Sequence, residues 1–257
     1  MLEAEEVRSR NEELRAFEAR FDYPLGHERF RIDRGCDYLA FFETLGRPYV
    51  FAAYDDRVLV GVLVAVLRDL THIPGIATPC YYLGDLKVAP SHRSAGISRR
   101  LLRAFDSFAP GRPAYGISMD PASGTNRVAA TMAALPGVAR VASLLLFSFD
   151  DVAWRVIEPL CTAAWSLPIQ WVDHAGRKDI VLLRDGRPLP LRHLQHGPLA
   201  RDDGDAPRAG SIAMLCLVAD HPLATRLLAA GHDAARASIL ERACPWRDWS
   251  FVLSSDI

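Results

Sequence analysis

The chain of 257 residues has no apolar run long enough to cross a bilayer. Its longest, Val58 to Leu67, contains only apolar residues and one glycine, well short of the roughly 20 residues a spanning helix needs. The first residues, Met1-Leu-Glu-Ala-Glu-Glu, are acidic and do not form a secretory leader pattern. Paired cysteines are also missing. The five cysteines, at 36, 80, 161, 216 and 244, are scattered and odd in number, with no C-x-x-C, so neither a disulfide framework nor a zinc site is indicated. A reducing cytoplasm is the expected location. There is no basic excess either: the formal net charge is -1, which argues against nucleic-acid or anionic membrane partners. What is present is 50% hydrophobic and 24% charged residues, a globular balance sufficient for a sizeable core in one or two domains.

One stretch changes period within a few residues. From Cys80 to Val88 the chain reads as a strand, with Leu86 and Val88 in alternation and Pro90 as its stop. Ile97, Leu101, Leu102, Phe105 and Phe108 then recur at helical spacing. Arg93 and Gly96 lie at the joint. The backbone N–H groups of a first helical turn lack partners and carry the positive end of the helix dipole. Gly96 removes a side chain from that approach and Arg93 adds a fixed charge, so strand, Arg-x-x-Gly, helix suits a phosphate cradle, the alternative on these two residues alone being an ordinary connection with a surface arginine.

The segment Asp85-Leu86-x-Val88-x-Pro90-x-x-Arg93-x-x-Gly96-Ile97-x-x-x-Leu101-Leu102 resembles the acyl-CoA-binding motif of the GNAT N-acyltransferase family. Ser98 stands where that motif usually has glycine or alanine, and Ser94 where glycine is frequent. Both are small enough for a pyrophosphate to approach the backbone. The resemblance implies an α/β (α+β, mixed-sheet) fold and acetyl-CoA or another acyl-CoA as co-substrate. It further implies a pantetheine arm along Leu86, Lys87 and Val88, and a pyrophosphate held by Arg93 with Ser94, Ala95, Gly96, Ile97 and Ser98.

The order of elements agrees. Residues 3–20 suggest a helix, and Phe21 to Gly35, with Pro24 and Gly26 as breakers, a loop. Cys36 to Leu45 reads as a short helix. Tyr49–Tyr54 and Val58–Leu67 form a hairpin about Asp55-Asp56, and the second strand, apolar on both faces, is expected to be central. After the cradle helix, Pro110, Gly111 and Pro113 make a stop. Ala114–Met119 is a strand, Arg127–Leu135 a small-residue helix capped by Asn126, and Val138–Phe149 a long strand. The resemblance covers about residues 36–150. It places Asn126 in the CoA-binding set, and it puts Ala133 where the family commonly has a tyrosine that protonates the departing thiolate. A missing general acid leaves an alternative open: a non-catalytic acyl-CoA-binding or interaction protein with this fold.

The expected organisation is an acyl-CoA-binding domain at 1–150 and a C-terminal α/β domain at 151–257. In the second half, Trp154–Trp165 suggests a helix. A hairpin about Asp185-Gly186 joins 180–183 to 188–194, 199–209 is an exposed loop, and Ser211–Val218 is a strand. Pro222–Ala230 is a helix stopped by Gly231, Ala234–Cys244 is either helix or strand, and Trp249–Leu253 is a strand. Strand, Asp-His-Pro, helix, strand loosely repeats the first half, suggesting a degenerate second GNAT-like lobe.

Acyl transfer to an amine needs deprotonation, a polarised carbonyl and proximity. Asp85, on the cradle strand, and Asp120, at the exit of the next strand, are the candidate bases, each with a structural alternative. Tyr82, Tyr115 and Ser118 could donate protons, though aromatics at strand positions are more often core; His92 reads as facing solvent or phosphate; and His193-x-x-His196 resembles half a metal site but, with no further ligands recognisable, reads as surface histidines. Arg99, Arg100 and Arg103 form a basic helix face. The expected acceptor is an amine on a small molecule or protein.

Overall fold

The computed structural model describes all residues except 3, 26, 27, 166–168 and 203. Gly26, expected as a breaker, and the start of the first expected helix at residue 3 lie outside the described residues. Among the described residues, nine strands form one mixed sheet. In chain order they are β3 (Arg47–Asp55), β4 (Val58–Arg68), β5 (Cys80–Val88), β6 (Ala114–Met119), β7 (Val138–Phe149), β8 (Gln170–Val172), β11 (Leu191–Gln195), β12 (Ile212–Val218) and β13 (Ala234–Arg242). Their spatial order is β3-β4-β5-β6-β13-β7-β12-β11-β8. A smaller antiparallel sheet combines β1 (Tyr23–Leu25) and β2 (Glu28–Asp33) with β9 (Asp179–Leu182) and β10 (Pro188–Leu189).

The hairpin expected about Asp55-Asp56 forms between β3 and β4, and β4 is buried along nearly all its length, as its unbroken apolar run requires. Helix α4 (Ile97–Phe108) lays Ile97, Leu101, Leu102 and Phe105 onto this part of the sheet. Asn126 caps α5 (Arg127–Ala133) by accepting from the Ala129 N–H. Helix α6 (Asp151–Ala164) starts earlier than its apolar spacing suggests, because the Asp150 carboxylate accepts from the Ala153 N–H. It packs with α7 (Pro222–Ala229) over β7 and β12 in a separate core around Trp154, Phe147, Leu215 and Leu227.

Several expectations change. The first helix is two helices, α1 (Ala4–Ser9) and α2 (Asn11–Glu18). Of the segment 36–45, only α3 (Ala40–Glu43) is α-helical. Residues 21–35 are not a loop: β2 finds a partner in β9, about 150 residues later, a pairing no local pattern encodes. Ala234–Arg242 is a strand. Trp249–Leu253 is not; it is an irregular buried segment leading to a 3-10 turn at Ser254–Asp256. Its aromatic residues pack on Tyr115 instead of entering the sheet. The boundary expected at 150/151 does not separate two sheets. Strand β13 inserts between β6 and β7, pairing antiparallel with both, and Trp246, Trp249 and Phe251 join the core beneath β3–β6.

Candidate functional site

Strands β5 and β6 run parallel and pair only at Tyr81, Tyr82 and Leu83 opposite Ala114, Tyr115 and Gly116. Beyond that point they part. In the parting segment β5 is bulged: Val62 faces Lys87 and Val64 faces Gly84, so Asp85 and Leu86 together oppose Leu63. Asp85 takes φ +50°. A bulge interrupts the ladder and re-aims backbone groups, here on the edge facing the gap. At the same end Gly96 adopts φ +69° as the N-cap of α4, and a Cβ built on it would meet nothing within 4 Å. The Arg93 side chain is exposed, with no hydrogen bond or ion pair among the described residues. Helix α4 sits close to β4 because Gly61 has no side chain: a Cβ there would lie 2.6 Å from Ile97 Cγ2. A cavity of about 790 Å³ between α4, α5 and β6 is lined by Leu83, Leu102, Phe105 and Gly116, with Arg99 and Arg103 among its walls. The expected cofactor-binding residues from Leu86 to Ser98 thus border one gap and one open helix terminus.

Beneath the bulge is a charge cluster that the sequence did not single out. Arg34 Nη2 donates to both Asp85 oxygens, at 2.9 and 2.8 Å, and Tyr38 Oη donates to Asp85 Oδ2 at 2.9 Å. Lys87 Nζ lies 3.0 Å from Asp85 Oδ1 and also pairs with Glu18. Arg34 is 2% exposed and stacks on Tyr38, Phe41 and Phe42. Burial pushes the Asp85 pKa up, yet Arg34 and Lys87 overrule it and hold the carboxyl well below the usual range. Glu18 goes the other way: burial first, then the Asp85 charge, raise it. No periodicity marks Arg34, Tyr38 or Glu18. Only the unusual Arg34-Gly35 pair inside a supposed loop could have drawn notice.

Asp120 accepts from Ser238 Oγ and Asn126 Nδ2, both at 2.7 Å, and Arg140 lies 3.5 Å away. Asn126 also donates to Ser118 Oγ and the Met119 carbonyl, so it ties α5 to the end of β6. Ala133 is exposed. Tyr82 and Tyr115 are core residues, with burial raising both phenols; Arg68 donates to Tyr115 Oη at 2.6 Å and pairs with Asp256 at 3.1 Å. His92 bridges Ser91 and Asp55 at the surface. His193 and His196, expected at the surface, are buried: His193 beside Ser254, His196 stacked on Trp165. Among the described residues no group of three or more His, Cys, Asp or Glu could hold a metal. No described helix is long and apolar enough to cross a membrane.

Residues 10–132 match the model of the acetyltransferase (GNAT) family. This stretch is a GNAT-family domain. No curated protein matches the sequence. Similar solved structures include a tandem GNAT protein from the clavulanic acid biosynthesis pathway, at 15% identity and TM-score 0.44 over 77% of this chain and 84% of that one. A GCN5-related N-acetyltransferase from Anabaena variabilis is 11% identical, TM-score 0.45, over 94% and 71%. N-myristoyltransferase from Saccharomyces cerevisiae with bound myristoyl-CoA is 9% identical, TM-score 0.45, over 98% and 86%. All three are too distant to assign a donor or acceptor to this chain.

Proposed function

We propose that this protein transfers an acyl group, acetyl or another, from acyl-CoA to an amine by direct attack of the amine on the thioester. The observation that carries the reading is the coincidence of three features at one end of the sheet: the parted β5 and β6, the bulge at Asp85–Leu86, and the open N-terminus of α4. The residues fit an acyl-CoA. Backbone N–H groups of residues 94–98 and the unpaired Arg93 suit a diphosphate. The free edge at Leu86, Lys87 and Val88 suits an amide-bearing arm, and a backbone N–H there would stabilise a tetrahedral oxyanion. Arg99 and Arg103, on the cavity wall, suit a further phosphate.

The amine must lose a proton before or during attack. Asp85 is poorly fitted to take it, since two cations buried with it, Arg34 and Lys87, stabilise its ionised form; we assign it the support of the bulge. Asp120, whose near partners Ser238 and Asn126 are neutral and whose one cation, Arg140, lies 3.5 Å away, is the better base, acting directly or through water. The leaving thiolate, with an ordinary pKa of about 8.5, can be protonated by water where Ala133 offers no hydroxyl. We also infer that β12, α7 and β13, which repeat the strand–helix–strand order of β5, α4 and β6, form a degenerate second lobe without a cradle.

The test is calorimetric titration with acetyl-CoA beside a free-thiol assay over a panel of amines. Saturable binding, lost at least tenfold in Arg93→Glu, with thiol release dependent on one amine, is the expected result. Absence of binding would overturn the reading. Binding without release for any amine would favour the non-catalytic alternative that Ala133 raises.

A further inference from the structure

Helix α6 is apolar on both sides. Trp154, Ile157 and Cys161 turn inward, to the core over β7 and β12. On the opposite side Val152, Val156, Pro159 and Ala163 are all exposed, and their spacing of four, three and four residues makes one stripe along the helix. Val152 and Val156 stand at 69% and 68%, the most open of the large hydrophobic side chains among the described residues; Leu228, on the adjoining α7, is exposed as well, at 40%. A surface helix normally turns polar and charged groups to water on this side. Single exposed apolar residues need no account, but a continuous stripe does. We propose that the outer face of α6 is the interface of a two-fold dimer, covered by the antiparallel α6 of a second copy of this chain.

Charge identifies the occupant. At helical spacing Arg155 and Thr162 border the stripe on one flank, with Glu158 just behind them, while the other flank carries Ala153 and Leu160. Arg155 and Glu158 are exposed, and neither has an ion pair among the described residues. Let two such helices cross antiparallel about an axis near residues 157 and 158. Val156 of each copy then meets Pro159 of the other, Val152 meets Ala163, and Arg155 comes beside the turn that carries Glu158 and Thr162. A two-fold axis makes every contact twice, so both arginines and both glutamates find partners. The face thus calls for an apolar stripe edged on one flank by a cation and a carboxylate, and α6 is itself such an element. A formal net charge of -1 gives two copies little to repel.

The size of the face sets the strength. Helix α6 has 14 residues, about 21 Å of length. With α7 beside it the face reaches only the low end of specific interfaces, about 1,200 Å² in all, which calls for a dimer of micromolar strength. The dimer leaves the acyl-CoA reading untouched. Helix α6 packs over β7 and β12, and β13 separates those strands from β6 and the gap beside it.

The test is sedimentation equilibrium of the full chain across about 2–200 μM. Wild type should pass from monomer to dimer within that range. Val152→Ser combined with Val156→Ser should weaken the dimer at least tenfold. Both side chains already face water in the single chain, so thermal unfolding should show the fold kept. Arg155→Glu and Glu158→Arg should each weaken the dimer at least tenfold. An equimolar mixture of these two variants should regain affinity to within about threefold of wild type, because an all-acidic flank then meets an all-basic one. That recovery is open only to a face that pairs with itself. A wild-type chain monomeric throughout, a dimer indifferent to the valines or to either charge reversal, or a mixture no stronger than its components would each overturn the proposal. None of these outcomes depends on acyl transfer.

Discussion

Lys87 stands between two carboxylates that the chain treats differently. Asp85 is gripped by Arg34, Tyr38 and Lys87, and its ionised form is favoured; Glu18 has Lys87 as its ion-pair partner and is penalised for its charge. Removing the Asp85 charge strips the buried Arg34 guanidinium of its partner, and breaking a buried pair from one side costs about 3–5 kcal/mol. Asp85→Asn should therefore lose that much in denaturant unfolding at pH 7. Glu18→Gln should stay within about 1 kcal/mol of wild type, since Lys87 keeps Asp85. The pH dependences have opposite signs. The raised Glu18 pKa contributes stability below its unfolded value that is lost as pH rises through the folded one. The lowered Asp85 pKa contributes stability above its unfolded value that is lost as pH falls. Glu18→Gln should thus gain on wild type as pH rises from acid to neutral, and equal losses in both variants would refute this division of roles. From the sequence, Asp85 could be singled out by its place in the motif. Its partners could not, because Arg34 and Tyr38 reach it from about 50 residues away.

At the scale of elements, two glycines set the N-terminal end of α4 for different reasons, and substitution separates them. At Gly61 a Cβ would lie 2.6 Å from Ile97 Cγ2 and 3.2 Å from Leu101 Cδ1. Gly61→Ala should cost about 1–3 kcal/mol of stability by overpacking. At Gly96 the added Cβ meets nothing, so Gly96→Ala pays only for φ +69°, about 1–2 kcal/mol. It also places a methyl where the diphosphate would approach. Gly96→Ala should then lose more CoA affinity than stability, and Gly61→Ala the reverse; wild-type CoA affinity in Gly96→Ala would move the cradle elsewhere. Elements of this kind were legible because period and punctuation are local: β5, β6, α4, α5 and β7 follow from alternation, helical spacing, Pro90 and the Asn126 cap. The hairpin of β1 and β2 was not, since its pairing with β9 joins distant segments. The tail at 249–253 has strand-like composition but is held by ring contacts with Tyr115, which override propensity.

At the scale of the whole molecule the halves are interleaved. Strand β6 has its antiparallel partner in β13, and buried Arg68 has its carboxylate in Asp256. A fragment ending at residue 150 should lack a cooperative thermal transition; a sharp one would show that the first half folds alone. The same interlocking makes the junction sensitive to acid. His174 lies edge-on to Phe41 and faces the Ser255 carbonyl, with His193 beside it. Burial, and then the Lys178 charge, push His174 from the usual 6.5 down to about 3, and burial pushes His193 well below its usual value. Between those limits the unfolded chain binds protons that the folded chain refuses. Stability is therefore fully present above about pH 6.5 and lost as pH falls toward the folded values, each histidine contributing about 1.4 kcal/mol per unit of its shift. The melting temperature should fall steadily below pH 6.5, and His174→Phe, though less stable at neutral pH, should show a flatter decline. Parallel curves for variant and wild type would mean that acid attacks the fold elsewhere, with Asp85, which also loses stability as pH falls, the next group to examine.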